Sequence, residues 1–243
     1  MKATKAVAVS LVLACGVMLA GCAGAGRQTS EASGASQENP VASTAPAPSK
    51  NATPEEILEA ITADFEGTEQ TIANNLTAAK TAAGDSYESY VANKAAIANW
   101  YEATQQAADE LFTRTEENSK QYFNALAEKG EDGGSRELND GMKAWYRTVY
   151  EDAFKGFYQA VYEDDYKELY EAYYDGVLDA AYDSVNYSEL SDEYSAFYRQ
   201  YSDGLKDLYR SYSDAQSDNY RMYSDVSGEF YKGNYDLSKV LSD

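Results

Sequence analysis

The absence of proline from most of the chain is the feature that most restricts its fold. The sequence has 243 residues and four prolines, and the last of these is Pro54. Proline disrupts helix interiors because its ring clashes with the preceding turn and it has no amide hydrogen to donate. The whole of the chain after Pro54 can therefore form helix. We predict an all-α domain over residues 53–243.

Helix start and stop signals divide this domain. Thr53-Pro54-Glu55-Glu56 combines an N-cap threonine, a proline at the first helical position and a glutamate that completes a capping box. Gly84-Asp85-Ser86 predicts a kink or a break in the helix that follows. The glycine-rich segment 130–135 predicts the main chain reversal. We expect an elongated antiparallel bundle or coiled coil of three to four long helices.

From Trp145 to Tyr182 a pair of adjacent residues, with at least one large apolar or aromatic side chain, recurs every four residues. Four residues advance an α-helix by about 400°, so such a stripe drifts by about 40° per repeat. A straight α-helix could not keep this stripe against one neighbour. We expect the helix to break or wrap, or successive parts of the stripe to face different helices.

An eleven-residue repeat begins at Tyr187 and continues towards the C-terminus. In all five units the first residue is tyrosine and the sixth is aspartate. The fourth residue is apolar or aromatic in the first four units and is Asn234 in the fifth. Such a repeat fills three helical turns, which keeps one face aligned. The repeated tyrosines either pack between helices or are exposed to a partner. The candidate partner-contacting residues are Tyr198, Tyr201, Tyr209, Tyr212, Tyr220 and Tyr223.

The amino-acid composition restricts both the residues that can build the core and the chemistry that the side chains can perform. Leu, Ile, Val and Phe are scarce after position 21, and the whole chain has 23 tyrosines against 7 phenylalanines. We therefore expect a core built largely from tyrosine. The chain has no histidine, which excludes a histidine general base and histidine metal ligands. We predict no enzymatic activity, no cofactor and no metal site.

The N-terminus has the build of a secretory signal peptide, with Lys2 and Lys5 before an apolar run of about 16 residues. The run ends Leu19-Ala20-Gly21-Cys22, which resembles the lipobox of bacterial lipoproteins. The resemblance is confined to residues 1–22. It implies cleavage of residues 1–21 and diacylglyceryl attachment to the Cys22 thiol. Residues 22–52 are rich in Ala, Ser, Gly, Pro and Thr, and we expect them to form a disordered, lipid-anchored linker.

These features predict a protein held on the outer face of a bacterial cell membrane through Cys22. The net charge of −21 argues against nucleic-acid binding and favours basic proteins or peptides as partners. The expected role is non-catalytic: a spacer, a scaffold or an adhesion-type protein-binding module. The alternative is a ligand-binding lipoprotein that delivers a small or cationic solute to a transporter.

Overall fold

The computed structural model describes residues 47–242, which form five helices and contain no strand. The first three helices are α1 (Pro54–Ala83), α2 (Tyr87–Asn93) and α3 (Ala95–Gly133). The composite helix α4 spans 135–178, and α5 (Tyr187–Tyr231) has 45 residues, or about 68 Å at 1.5 Å per residue. The all-α prediction is confirmed. The predicted signal peptide, Cys22 and residues 22–46 of the predicted linker lie outside the described residues.

Helix α1 starts with the predicted capping box. The Thr53 hydroxyl accepts a hydrogen bond from the Glu56 amide at 3.3 Å, and the Glu56 carboxylate accepts one from the Thr53 amide at 2.8 Å. Before this cap, the Ser49 carbonyl accepts hydrogen bonds from the Ala52 amide and from the side chain of Gln121. The last residues before α1 are therefore held against α3.

The chain reverses at Gly84, which breaks the first helix rather than kinking it. Gly84 has a positive φ of 78°, a conformation that glycine adopts without steric cost. Ser86 then caps α2 through reciprocal hydrogen bonds with Ser89. Helix α3 runs back along α1, and the Trp100 indole N–H donates to the carbonyl of Ile72 at 3.2 Å.

Two more reversals make a bundle in which successive long helices run in opposite directions. Gly134, with φ 86°, ends α3 within the glycine-rich segment that predicted a reversal. Near this turn the Tyr122 hydroxyl donates to the carbonyl of Gly141 at 2.8 Å, which holds α4 against α3. The last reversal lies between α4 and α5.

Helix α4 contains three π-helical segments of eight residues each: Tyr146–Ala153, Tyr158–Asp165 and Glu171–Leu178. A π-helical hydrogen bond spans five residues instead of four, so these segments place more residues in each turn. The buried side chains consequently recur with a twelve-residue period rather than the eleven-residue period of an α-helix. The three buried sets are Trp145, Val149 and Phe154; Phe157, Val161 and Tyr166; and Leu169, Tyr173 and Leu178.

This geometry overturns the expectation that the four-residue stripe drifts around the helix. A twelve-residue period over three turns averages four residues per turn, so a four-residue repeat stays on one face. Helix α4 therefore does not break, and the predicted drift is wrong because it assumed α-helical geometry throughout. The stripe does meet different helices along its length: Phe154 contacts Phe65 of α1, whereas Tyr173 lies 5.4 Å from Tyr90 of α2 between ring centroids.

Helix α5 follows the eleven-residue repeat for four units. The last position of each of the first three units is buried, at Phe197, Leu208 and Asn219. The fifth unit departs from the repeat, because α5 ends at Tyr231 and Gly233 has a positive φ of 73°. The chain then turns and buries Leu237.

The core is aromatic at its centre. Phe65 of α1 and Phe112 of α3 contact both Phe154 and Phe157 of α4, with ring centroids 5.3 to 6.2 Å apart. Edge-on and offset contacts of this kind add to the stabilisation from apolar burial. The expected tyrosine-rich core is present only in part, because phenylalanine and tryptophan occupy its middle.

Candidate functional site: the tyrosine ladder

Twelve tyrosines line the contact between α4 and α5, and we call this set the tyrosine ladder. Six belong to α4 and form pairs that recur with the twelve-residue period, while six belong to α5 and follow the eleven-residue repeat. The α4 residues are Tyr146, Tyr150, Tyr158, Tyr162, Tyr170 and Tyr174; the α5 residues are Tyr198, Tyr201, Tyr209, Tyr212, Tyr220 and Tyr223. All six predicted partner-contacting tyrosines therefore lie in one structural unit.

The ladder has three rungs, and each joins one α4 pair to one α5 pair. In rung 1, Tyr146 lies 5.4 Å from Tyr223 between ring centroids. In rung 2, the corresponding distance is 5.3 Å between Tyr158 and Tyr212. In rung 3, Tyr170 and Tyr201 lie 5.0 Å apart. Successive rungs are about 16.5 Å apart, because each repeat of α5 has eleven residues and an α-helix rises about 1.5 Å per residue.

Within α4, the two tyrosines of each rung stack on one another. The ring centroids are 5.1 Å apart for Tyr146 and Tyr150, and the planes are inclined by 25°. In rungs 2 and 3 the centroids of the α4 pair are 4.6 Å apart, with angles of 18° and 17°. The stacked pairs form an aromatic surface that repeats three times with similar geometry.

The two α5 positions in each rung differ in exposure. Tyr201, Tyr212 and Tyr223 are half-buried against α4. The first-position tyrosines are exposed, with 54% of Tyr198, 49% of Tyr209 and 46% of Tyr220 accessible to solvent. The packing and exposed-interface interpretations thus each describe one of the two positions. Contact between the exposed rings and a partner stays a prediction.

In each rung one carboxylate of α4 contributes to raising the pKa of the first tyrosine of the α4 pair. Burial raises the pKa of Tyr146, and the charge of Glu151 adds to this effect. Burial, the neighbouring Tyr162 and Glu163 raise the pKa of Tyr158 in the same way. In rung 3, burial, Tyr174 and Asp175 raise the pKa of Tyr170 to about 12. These phenols are therefore neutral at physiological pH.

The charges that flank the rungs are different at the two ends of α4. Alongside rung 1 the exposed side of α4 carries Arg147, Glu151 and Lys155 at four-residue spacing. Alongside rung 3 the corresponding positions are Glu171, Asp175 and Asp179. Over these three positions α4 thus carries a net charge of +1 beside rung 1 and of −3 beside rung 3.

Rung 3 also gains a fifth tyrosine. The Tyr194 ring meets Tyr174 edge-on, with centroids 4.9 Å apart, and its hydroxyl donates to the Asp179 carboxylate at 3.4 Å. Burial raises the pKa of Tyr194, and Asp179 contributes further. Aromatic faces and carboxylates therefore meet at this end of the ladder.

The eleven-residue repeat predicts the α5 half of the ladder, whereas α-helical geometry does not align the tyrosines of the α4 half. Its signal was nonetheless present in the four-residue stripe. Read with a period of twelve, that stripe places tyrosine at 146, 158, 170 and 182 and again at 150, 162 and 174. Only the π-helical segments bring these positions into line.

Other polar features of the bundle lie apart from the ladder. A groove of about 680 Å³ at the start of α1 is lined by Glu55, Lys129, Glu137 and Asp140, among others. Within residues 47–242, no group of three or more acidic, cysteine or histidine side chains is arranged to hold a metal ion. No helix in this same part of the chain is long and apolar enough to span a membrane.

Comparison with protein-family models, with curated proteins and with solved structures finds no match to this chain.

Proposed function

We propose that this protein is a non-catalytic, lipid-anchored cell-surface module that presents the tyrosine ladder to a macromolecular partner. The observation that carries the proposal is the row of exposed tyrosines at every third turn of α5. Tyrosine is enriched at protein interfaces because it offers a large, rigid contact area together with a polar hydroxyl. A scaffold or adhesion-type role uses such a surface, and the long helices would extend it away from the membrane.

The anchor is the other half of the proposal. The lipobox-like sequence ending at Cys22 supports attachment to the outer face of the cell membrane. Labelling of growing cells with radioactive fatty acid tests it directly. We expect label on the wild-type protein and none on Cys22→Ser, with the variant recovered in the soluble fraction. An unlabelled wild-type protein would overturn the anchoring.

Partner contact is tested by site-specific photocrosslinking on intact cells. A photoreactive residue at Tyr209, in the middle of the ladder, should give a discrete crosslinked species. The same probe at Glu102, an exposed residue of α3, is the matched control and should give none. Equal crosslinking at the two sites, or none at either, would contradict the proposed interface.

A second candidate function is delivery of a small cationic solute to a transporter. The groove at the start of α1 supports it, since Glu55, Glu137 and Asp140 outnumber Lys129 among its charged lining residues. Lys129 forms a salt bridge to Glu55 at 2.9 Å, and Asp140 forms a longer one, at 3.8 Å, with the highly exposed Arg136. Glu137 and Asp140 are therefore the candidate ligands. Binding of a polyamine to wild type that is lost in Glu137→Gln with Asp140→Asn would favour this function.

A further inference from the structure

We infer that rung 3 of the tyrosine ladder binds a cationic side chain, arginine or lysine, of the partner protein. The inference rests on the proposed function and names the chemistry by which the ladder would recognise its partner. The residues that carry it are Tyr174, Tyr194 and Tyr198 with the carboxylates of Asp175 and Asp179.

The aromatic part of this site is established by the ring geometry. Tyr174 stacks on Tyr170 at 4.6 Å, meets Tyr194 at 4.9 Å and lies 6.3 Å from Tyr198. Tyr174 is half-buried and Tyr198 is 54% exposed, so ring surface is accessible from solvent. A cation within about 6 Å of such ring faces is attracted by their negative quadrupole.

The carboxylates supply the second part of the recognition. Asp179 accepts the Tyr194 hydrogen bond at 3.4 Å, which places its charge beside the aromatic cluster. Asp175 follows Tyr174 directly and is exposed. A guanidinium or ammonium group can therefore contact ring faces while it pairs with a carboxylate, a combination that suits arginine in particular.

The choice among the three rungs follows from their flanking charges. Rung 1 has the same tyrosine arrangement, but Arg147 and Lys155 flank Glu151 there. Rung 3 has Glu171, Asp175 and Asp179 at the same spacing, and of these three Glu171 forms a salt bridge, with Lys167 at 3.7 Å. An approaching cation therefore meets attraction at rung 3 and partial repulsion at rung 1.

The basic residues of α5 are present at all three rungs. In each repeat an exposed arginine directly follows the first tyrosine, at Arg199, Arg210 and Arg221. Arg221, at rung 1, also forms a salt bridge with Asp218 at 3.1 Å. Since every rung has one such arginine, the difference in the sign of the flanking charge comes from α4. Charge complementarity therefore favours a basic partner segment seated at the end of the ladder that lies nearest the turn between α4 and α5.

The test uses the full chain in detergent micelles and a fluorescein-labelled nona-arginine peptide, with fluorescence anisotropy at physiological salt. Tyr174→Leu removes a ring without changing the net charge, so it separates cation–π attraction from bulk attraction to an acidic protein. We expect it to weaken binding about fivefold, which corresponds to about 1 kcal/mol. Tyr150→Leu, the matched position in rung 1, should change the affinity less than twofold.

The carboxylates are tested as a second matched pair. Asp175→Asn should weaken binding at least threefold, whereas Glu151→Gln, which changes the net charge equally, should have a smaller effect. Tyr198→Ser removes an exposed ring and replaces Tyr174→Leu in the test if that variant does not fold. We expect Tyr198→Ser to weaken peptide binding more than Tyr220→Ser, its counterpart in rung 1.

The outcomes distinguish this inference from the proposed function. Equal effects at rungs 1 and 3 would show attraction by overall charge and overturn the inference. Absence of peptide binding by wild type would also overturn it. The proposed function would still be tested separately, by the photocrosslink at Tyr209 and the lipid label at Cys22. Loss of the photocrosslink with intact peptide binding would instead refute the proposed function alone.

Discussion

Tyr158 stacks on Tyr162 with their ring centroids 4.6 Å apart and their planes inclined by 18°. The two residues lie in the second π-helical segment of α4. The pair formed by Tyr170 and Tyr174, one repeat further along α4, has the same separation and nearly the same angle. The π-helical segments thus match a twelve-residue repeat in α4 to an eleven-residue repeat in α5, since both fill three turns.

Deletion of Gln159 tests whether this register matters. Gln159 is exposed within the second π-helical segment, so its side chain contributes little. Its deletion should convert that segment to ordinary α-helix, in which the remaining eleven residues still fill three turns. The downstream core residues, including Leu169 and Tyr173, should therefore keep their face of α4, and we expect the Tm to change by only a few degrees. Deletion of Asp214, an exposed residue of the α-helical α5, leaves ten residues where three turns need eleven and should rotate the residues that follow by about 100°. Misplacing buried residues costs about 2–5 kcal/mol each, so this second deletion should lower the Tm by more than about 10 °C.

A further control is Gln159→Ala, which leaves the chain length unchanged and should melt close to wild type. Circular dichroism measures all three variants. If deletion of Gln159 lowered the Tm as much as deletion of Asp214, the second π-helical segment would not be accommodating one extra residue per three turns, contrary to the role assigned to it.

The sequence predicted the parts of the fold that depend on local signals. The capping box at Thr53 and the breaks at Gly84 and Gly134 depend on cap geometry and backbone conformation, which a short segment determines. The eleven-residue repeat likewise predicted that one face of α5 stays aligned along the helix, but it did not decide which of the repeated tyrosines pack. The drift of the α4 stripe was predicted wrongly because the choice between α and π hydrogen bonding is made by packing against other helices.

The candidate site was predictable to a similar extent. The repeat identified the tyrosines of α5, but the stacking of Tyr158 on Tyr162 depends on the π-helical geometry. The charge difference between rungs was visible only after Glu151 and Asp175 could be assigned to equivalent places. Pairing between distant parts of the chain, such as Tyr146 with Tyr223, requires the order of the helices.

A second prediction concerns the ion pair between α1 and α3. Arg114 donates two hydrogen bonds to the Asp64 carboxylate, at 2.8 and 3.0 Å, and the Asp64 side chain is only 5% exposed. Arg114→Leu leaves a buried carboxylate without this partner and should lower the free energy of unfolding by about 3 kcal/mol. Urea denaturation measures the change.

The double variant Asp64→Leu with Arg114→Leu provides the control for the ion-pair prediction. It removes both charges, so we expect it to be more stable than Arg114→Leu alone. A double variant that is less stable than the single one would mean that packing around Asp64, rather than an uncompensated charge, dominates.

A third prediction separates the two tyrosine positions of α5. Tyr209→Ala with Tyr220→Ala truncates exposed rings and should lower the free energy of unfolding by roughly 1–2 kcal/mol in total. Tyr212→Ala with Tyr223→Ala should cost at least twice as much, since Tyr223 stacks on the buried Trp145 at 5.6 Å and Tyr212 contacts Phe154 at 5.9 Å. Thermal denaturation compares the pairs, and equal losses would contradict the difference in packing.

The fourth prediction is a pH dependence that arises between α1 and α4. Burial and the charge of Glu66 raise the pKa of Glu69 to about 7. The pKa of Asp165 is also raised to about 7, by burial first and then by Glu168, Asp164 and Glu69. The two carboxyls are half-buried, and each favours its neutral form in the folded protein.

The sign of the effect follows from comparison with the unfolded chain, in which carboxyls titrate near about pH 4. Because folding raises these pKa values, the folded state binds more protons between about pH 4 and pH 7. The stabilisation is complete below the unfolded pKa and is lost as the pH rises through about 7. We therefore expect the free energy of unfolding to be greater at pH 5.5 than at pH 8.5.

Urea denaturation at the two pH values measures this difference, and Glu69→Gln with Asp165→Asn should reduce it by more than half. The double variant should be more stable than wild type at pH 8.5, because neutral amides replace two carboxylates that burial disfavours. Glu59→Gln, at an exposed position of α1, should leave the difference unchanged. If the double variant kept the full wild-type pH dependence, the titrating groups would have to lie elsewhere, and the raised pKa values would not govern stability.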